Sequence, residues 1–201
     1  MDLSAAPTDR ELWQKSIEGD DRAFAAIYDR YAPRLLAYAV RRTRSRARAE
    51  DAVSLVMLET WRRRYDIRFS EDDSLAGWLF RTARYVLANE ARAARHHRDA
   101  LARIASRATQ SSEDIASHLV DDERLRLAVD GLAQLSDRDR EVIELAAVGL
   151  TESEMAAALG VAVGTIKSRL SRARRRLAER FEVHQQLFTV TARTTSTEVQ
   201  P

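Results

Sequence analysis

Residues 151–176 read TESEMAAALGVAVGTIKSRLSRARRR, two short helical patterns joined by a tight turn. Thr151 and Glu154 stand at capping-box spacing: the Thr hydroxyl accepts from the backbone three residues on, and the Glu carboxylate reaches back. Met155, Ala156 and Leu159 supply the apolar stripe of the first helix, and Gly160 follows where a left-handed terminus is wanted. The next helix opens at Val163, Gly164 and Thr165, with Ala162 where a capping Ser or Asn would be expected, a cost of about 1 kcal/mol. This spacing suits a helix-turn-helix, whose second helix enters the major groove of DNA.

At roughly 100° per residue, Ile166, Leu170, Ala173 and Leu177 fall on one stripe of the second helix. Lys167, Ser168, Ser171, Arg172 and Arg175 cluster opposite. Gly164 in the first turn lets backbone amides approach a phosphate, where the helix dipole also favours an anion. Arginine reads guanine edges bidentately, and both cations neutralise phosphates. A basic face alone would read equally well as solvated surface. Capping box, glycine turn and basic second helix together point to duplex DNA.

The 201 residues suffice for one medium domain or two small ones. Hydrophobic residues make up 45% and charged residues 32%, with six Gly and three Pro, which favours an all-helical fold. No run of about 18 apolar residues exists to span a membrane. The opening MDLSAAPTDRE is without the basic and apolar regions of a secretion signal, and cysteine is absent, so a cytoplasmic chain without disulfides or thiolate zinc sites is expected. The net charge is +2, but Arg concentrates at residues 41–48, 62–64, 81–98 and 167–180, and acids near the N-terminus and at 113–123. Separate basic stripes on a near-neutral chain suggest polyanion contact in more than one place.

Residues 10–100 read as a first helical block. Asp20 or Asp21 caps a helix through Phe24, Ile27, Tyr28 and Tyr31, which Pro33 should kink or restart before Leu35, Leu36 and Tyr38. A second helix is expected over 49–65 and a third over 75–98, separated by the loop 66–74 with Ser74 in capping position. The polar stretch 105–114, ASRATQSSED, reads as interdomain linker. A second block begins near Asp122, with Leu125, Leu127, Val129, Leu132 and Leu135 apolar. Ser136 and Asp139 then cap a helix through Val142, Ile143 and Leu145 to Gly149. Beyond Phe181 the Thr-rich tail is expected to lose its structure.

Two faces of the first block exceed what a core needs. Between 49 and 65, Ala52, Val53, Val56, Met57 and Thr60 share one face, while Ser54, Leu55, Leu58, Glu59 and Arg62 share the other. Leucines flanked by Glu and Arg opposite the core resemble a protein-docking surface. In the next helix Leu75, Leu79, Ala83, Val86 and Leu87 form a dry face with Phe80 at its edge. Arg81, Arg84, Tyr85, Ala88 and Arg92, with Asn89 beside them, line the other side. An exposed ring among arginines suits a single strand, whose bases stack while the cations hold phosphates; packing of Tyr85 on the Arg stems is the plain alternative.

Taken in order, these segments resemble the extracytoplasmic-function branch of bacterial sigma factors. FAAIYDRYAPRLLAY (24–38) is similar to the opening helix of sigma region 2, and AEDAVSLVMLETWRR (49–63) to the segment that docks on the polymerase clamp. SLAGWLFRTARYVLANEARAARHHR (74–98) resembles the segment that recognises and melts the −10 element, and residues 132–177 resemble region 4, which binds the −35 element. The resemblance implies two helical domains: an extension to residue 9, region 2 over 10–100, linker over 101–122, region 4 over 123–182 and a disordered tail from 183. It implies partners in the core polymerase, through its beta-prime clamp and beta flap, and in promoter DNA both duplex and single-stranded, with an anti-sigma factor as a further candidate. Ser54, Leu55, Leu58, Glu59 and Arg62 would dock on core. Arg81, Arg84, Tyr85, Ala88, Asn89 and Arg92 would hold the −10 strand, with loop 66–74 forming part of a pocket for a flipped base. Gly164, Thr165, Lys167, Ser168, Arg169, Ser171, Arg172 and Arg175 would meet the −35 element.

Three positions depart from the family pattern. Leu55 follows Ser54 where an acid is usual, Tyr85 stands where Asn is frequent, and Ser171 stands where an aromatic or His is frequent. A stand-alone helix-turn-helix regulator is the competing reading, and it leaves both faces of the first block without a role. An enzyme is disfavoured: His96, His97, His118 and His184 show no metal-ligand spacing with carboxylates, no nucleophile–base set is present, and no cofactor is expected.

Overall fold

Helices make up the regular structure of the described residues: α1 (Asp9–Ile17), α2 (Asp21–Thr43), α3 (Arg46–Arg62), α4 (Ala76–Ala105), α5 (Asp137–Ala147), α6 (Glu152–Leu159) and α7 (Val163–Thr195). The computed structural model describes the backbone over residues 6–69, 73–105 and 135–195, with side chains over the same stretches except 97–105 and 180–195. The apolar run from Leu125 to Leu132, most of the expected linker and the last residues of the tail lie outside the described residues.

Local chemistry sets most boundaries. Thr8 and Glu11 form a capping box at α1, with Glu11 N donating to Thr8 Oγ1 (3.2 Å) and Thr8 N to Glu11 Oε2 (3.0 Å). Asp20, rather than Asp21, caps α2 by accepting from Arg22 N (2.9 Å) and Ala23 N (3.3 Å). Of the kink or restart expected at Pro33, a restart does not occur: helix α2 runs on through it. Pro33 is exposed, where solvent can replace the lost ladder bond. Ser45 accepts from Arg48 N (3.4 Å) and starts α3 at Arg46, so this helix lies a little N-terminal of the expected 49–65. Ser74 does accept from Ala76 N (3.2 Å) at the head of α4, but that helix continues to Ala105, because 99–105 (DALARIA) holds no breaker. Asp139 N donates to Ser136 Oγ (3.2 Å) at α5. At α6 both halves of the Thr151–Glu154 box are made, and Gly160 closes it at φ 67°. Helix α7 remains helical to Thr195, past residue 183 where structure was expected to end; residues 165–195 contain neither Gly nor Pro.

The chain divides into two compact units, residues 1–114 with 145–163 and residues 115–144 with 164–201. In the first, Ile27, Leu35 and Tyr38 of α2, Val56 and Met57 of α3, Leu75 just before α4, and Leu79 and Phe80 of α4 are buried. Phe80 is fully buried rather than at the edge, its ring 5.5 Å from that of Tyr38 in an edge-on pair. A second aromatic cluster joins Trp13, Phe24 and Trp61. Helix α6 belongs to this unit and packs on α4 so closely that a Cβ on Gly77 would stand 2.6 Å from that of Ala157. Met155 and Ala156 are buried as expected, while Ala158 is fully buried and Leu159, the third expected stripe position, only half-buried. In the second unit Leu135, Val142, Ile166, Leu170 and Ala173 are buried, with Leu177 half-buried, and Arg176 pairs with the buried carboxylate of Asp139 at 3.4 Å.

Candidate nucleic-acid interface

Helix α7 displays the face read for duplex DNA. With Ile166, Leu170 and Ala173 turned inward, Gly164, Lys167, Ser168, Ser171, Arg172 and Arg175 are exposed, and Thr165 and Arg169 half-buried. A Cβ on Gly164 would meet open space, so the first turn of the helix is accessible to a phosphate. Ser168 Oγ donates back to Thr165 O at 3.0 Å, and Arg175 lies 3.7 Å from Glu179.

Helix α4 presents a divided face. Tyr85 is 66% exposed, and Ala88 and Arg92 are exposed beside it, with Arg92 donating to Asn89 Oδ1 at 2.9 Å. One turn earlier, Arg84 is half-buried and donates to the carbonyl of Ala158 at 3.0 Å. Arg81 reaches within 3.3 Å of where a Cβ on Gly160 would be. Two residues read for single-stranded DNA thus face the C-terminal end of α6, whose carbonyls attract cations. Ser74 donates to Glu154 Oε1 (2.5 Å), and Arg34 donates to Val148 O (2.9 Å) and Gly149 O (2.8 Å). No local pattern in the sequence marks these contacts, whose partners stand 74 to 115 positions apart in the chain.

Helix α3 exposes Leu55 (53%) and Leu58 (46%), with Ser54 and Arg62 exposed and Glu59 half-buried. Glu59 pairs with Arg63 at 2.6 Å. Leu55, Leu58, Glu59 and Arg62 line a groove of about 530 Å³ whose other wall carries Tyr85, Val86 and Asn89 of α4. The surfaces read for protein docking and for the −10 strand are therefore walls of one groove.

Helix α1 escaped the sequence reading, although TDRE at 8–11 carries the same capping signal as 151–154. Its Asp9 is buried, accepting from Arg30, from the Tyr31 hydroxyl and from Leu75 N (2.7 Å). Burial, joined by the adjacent Asp9 carboxylate, pushes the Tyr31 hydroxyl well above the usual tyrosine range.

Residues 27–97 match the family model of sigma-70 region 2, and residues 125–177 that of sigma-70 region 4. The ECF RNA polymerase sigma factor SigL of Mycobacterium tuberculosis is 38% identical over 155 residues, spanning 76% of this chain and 85% of the relative. The chain belongs to the ECF RNA polymerase sigma factors. SigK of Mycobacterium ulcerans is 31% identical to this sigma factor over 83% of the chain and 89% of its own length. Among solved structures, CnrH in complex with the cytosolic domain of CnrY aligns with a TM-score of 0.60 at 28% identity, covering 87% of this chain and 97% of that one. RpoE of Bartonella quintana, in complex with the anti-sigma factor NepR, aligns at 0.52 and 29% identity over 80% and 97%. In this sigma factor α3 and the Arg81–Arg92 face fall inside the region 2 match, α6 and the basic part of α7 inside the region 4 match, while α1 precedes both. No helix among the described residues is long and apolar enough to cross a membrane.

Proposed function

We propose that this sigma factor docks on core polymerase through Ser54, Leu55, Leu58, Glu59 and Arg62 on the beta-prime clamp, and through region 4 on the beta flap. Helix α7 then meets the −35 duplex with Gly164, Thr165, Lys167, Ser168, Arg169, Ser171, Arg172 and Arg175. The −10 strand lies unpaired along α4, its bases stacking on Tyr85 beside Ala88 and Asn89, its phosphates held by Arg81, Arg84 and Arg92. Extruding a base costs a few kcal/mol, offset by stacking and by phosphate contacts. The chain acts by binding energy, without hydrolysing a nucleotide, and works in the cytoplasm. An anti-sigma partner of the kind named for RpoE would act by covering these surfaces.

The shared groove between α3 and α4 carries this reading, because it puts the exposed leucines and the exposed Tyr85 within reach of one assembly. Run-off transcription from a promoter library, with core polymerase alone and with the chain added, tests it. Specific transcripts that appear with the chain support the assignment. Their absence, with no core binding in the same preparation, overturns it.

A further inference from the structure

Helix α1 grips both described ends of the loop 66–74. At the entrance, Trp13 Nε1 donates to Arg64 O at 3.1 Å. Next, the Arg10 guanidinium lies 4.7 Å over the ring of Phe69, and the same group pairs with Asp73 Oδ1 at 2.5 Å. At the exit, the buried Asp9 carboxylate accepts from Leu75 N at 2.7 Å, itself anchored by Arg30 and Tyr31. Asp73 holds φ 54°, a left-handed conformation uncommon for a non-glycine residue, and its side chain is paired with Arg10. Asp9 and Ser74 together supply the acceptors for the opening amides of α4, so the direction of α4's first turn depends on α1.

We propose that α1 is a positioning element for promoter recognition: Arg10 sets where Phe69 and Asp73, on the described flanks of the loop, stand toward the −10 strand. This inference rests on the reading of loop and α4 as the −10 surface. The contacts are of two kinds, a cation over a ring face and a partly exposed ion pair, each modest by itself. What they set is the placement of Phe69 and Asp73, and so choice among bases rather than folding.

The test uses full-length chain with core polymerase on promoters carrying each of the four bases at each −10 position. The readout is the transcription ratio between preferred and disfavoured base. Arg10 is half-exposed, so Arg10→Ala is expected to leave the unfolding midpoint within a few degrees of the parent while lowering the ratio about fivefold. Asp73→Ala should lower it similarly, and the double variant no further, because both remove one link. Arg10→Lys should restore part of the ratio through Asp73. A purely structural role would depress all templates alike and leave the ratio unchanged, which overturns the proposal. Arg68→Ala, on the loop itself and exposed, separates the two levels. If it changes the ratio and Arg10→Ala does not, the positioning role falls alone. If neither changes it, the loop's role in −10 recognition falls with it.

Discussion

Two basic helices carry the residues read for DNA, and the chain holds them differently. On α7 the apolar stripe turns Ile166, Leu170 and Ala173 inward and leaves Lys167, Ser168, Ser171, Arg172 and Arg175 exposed. On α4 Arg84 is half-buried on the Ala158 carbonyl of α6, and Arg81, though exposed, lies beside Gly160, while Tyr85, Ala88 and Arg92 are open. A basic stripe in a sequence therefore reports chemistry but not access. Each hydrogen bond from a charged group is worth about 1–3 kcal/mol net, so the α6 contacts are within reach of what binding a DNA strand returns.

The contrast can be broken or sharpened in three ways. Replacing Lys167 and Arg172 together by Ala should lower affinity for −35 duplex by about 100-fold, at 1–3 kcal/mol per lost contact. Fluorescence anisotropy with a single-stranded −10 oligonucleotide should register no change; equal losses on both DNAs would erase the distinction between the helices. Tyr85→Ala should cost about tenfold on the single strand through lost stacking and leave the duplex untouched. Gly77→Ala sharpens the comparison from the other side. Its new Cβ would stand 2.6 Å from that of Ala157 and must push α6 away. Hydrogen exchange at α6 amides should then rise about fivefold, with tighter single-strand binding. Unaltered exchange would mean that the packing tolerates the methyl group and α6 is not held there.

The smallest effect concerns pH. Tyr31 ionises near 10.0 when unfolded and higher when folded, so above that pH the unfolded chain releases a proton that the folded chain keeps. Stability should be flat with respect to this group below pH 10 and fall as pH rises beyond it. Tyr31→Phe, read by denaturant melts, should flatten that alkaline slope.

Features written within one helix turn were legible in the sequence. The Thr151–Glu154 box, the Gly160 terminus, the start of α7 and the buried face of α3 all follow from residues a few positions apart. The same signal at Thr8–Glu11 was present and passed over, so α1 and its grip on the loop were missed. Stripe edges were less legible: Phe80 and Leu159 exchanged roles with their expected places because α2 and α6 decide what an edge residue meets. Ends without a breaker, at Ala105 and Thr195, ran longer than polarity suggested. The docking of α6 on α4 was beyond local pattern altogether, since Ser74, Gly77 and Arg84 carry no mark naming Glu154, Ala157 and Ala158 as neighbours.

If core docks on one wall of the groove between α3 and α4 and the −10 strand on the other, as proposed, the two binding events would be thermodynamically linked. A partner whose contact with Leu55 and Leu58 favours one groove width would set the width offered to Tyr85 and Asn89, which line the same groove. By reciprocity, a strand that prefers one width strengthens a protein partner preferring the same width by an equal factor. A substitution at Tyr85 that retunes base choice would then also shift the affinity for the enzyme that delivers the base, so neither trait can drift without the other.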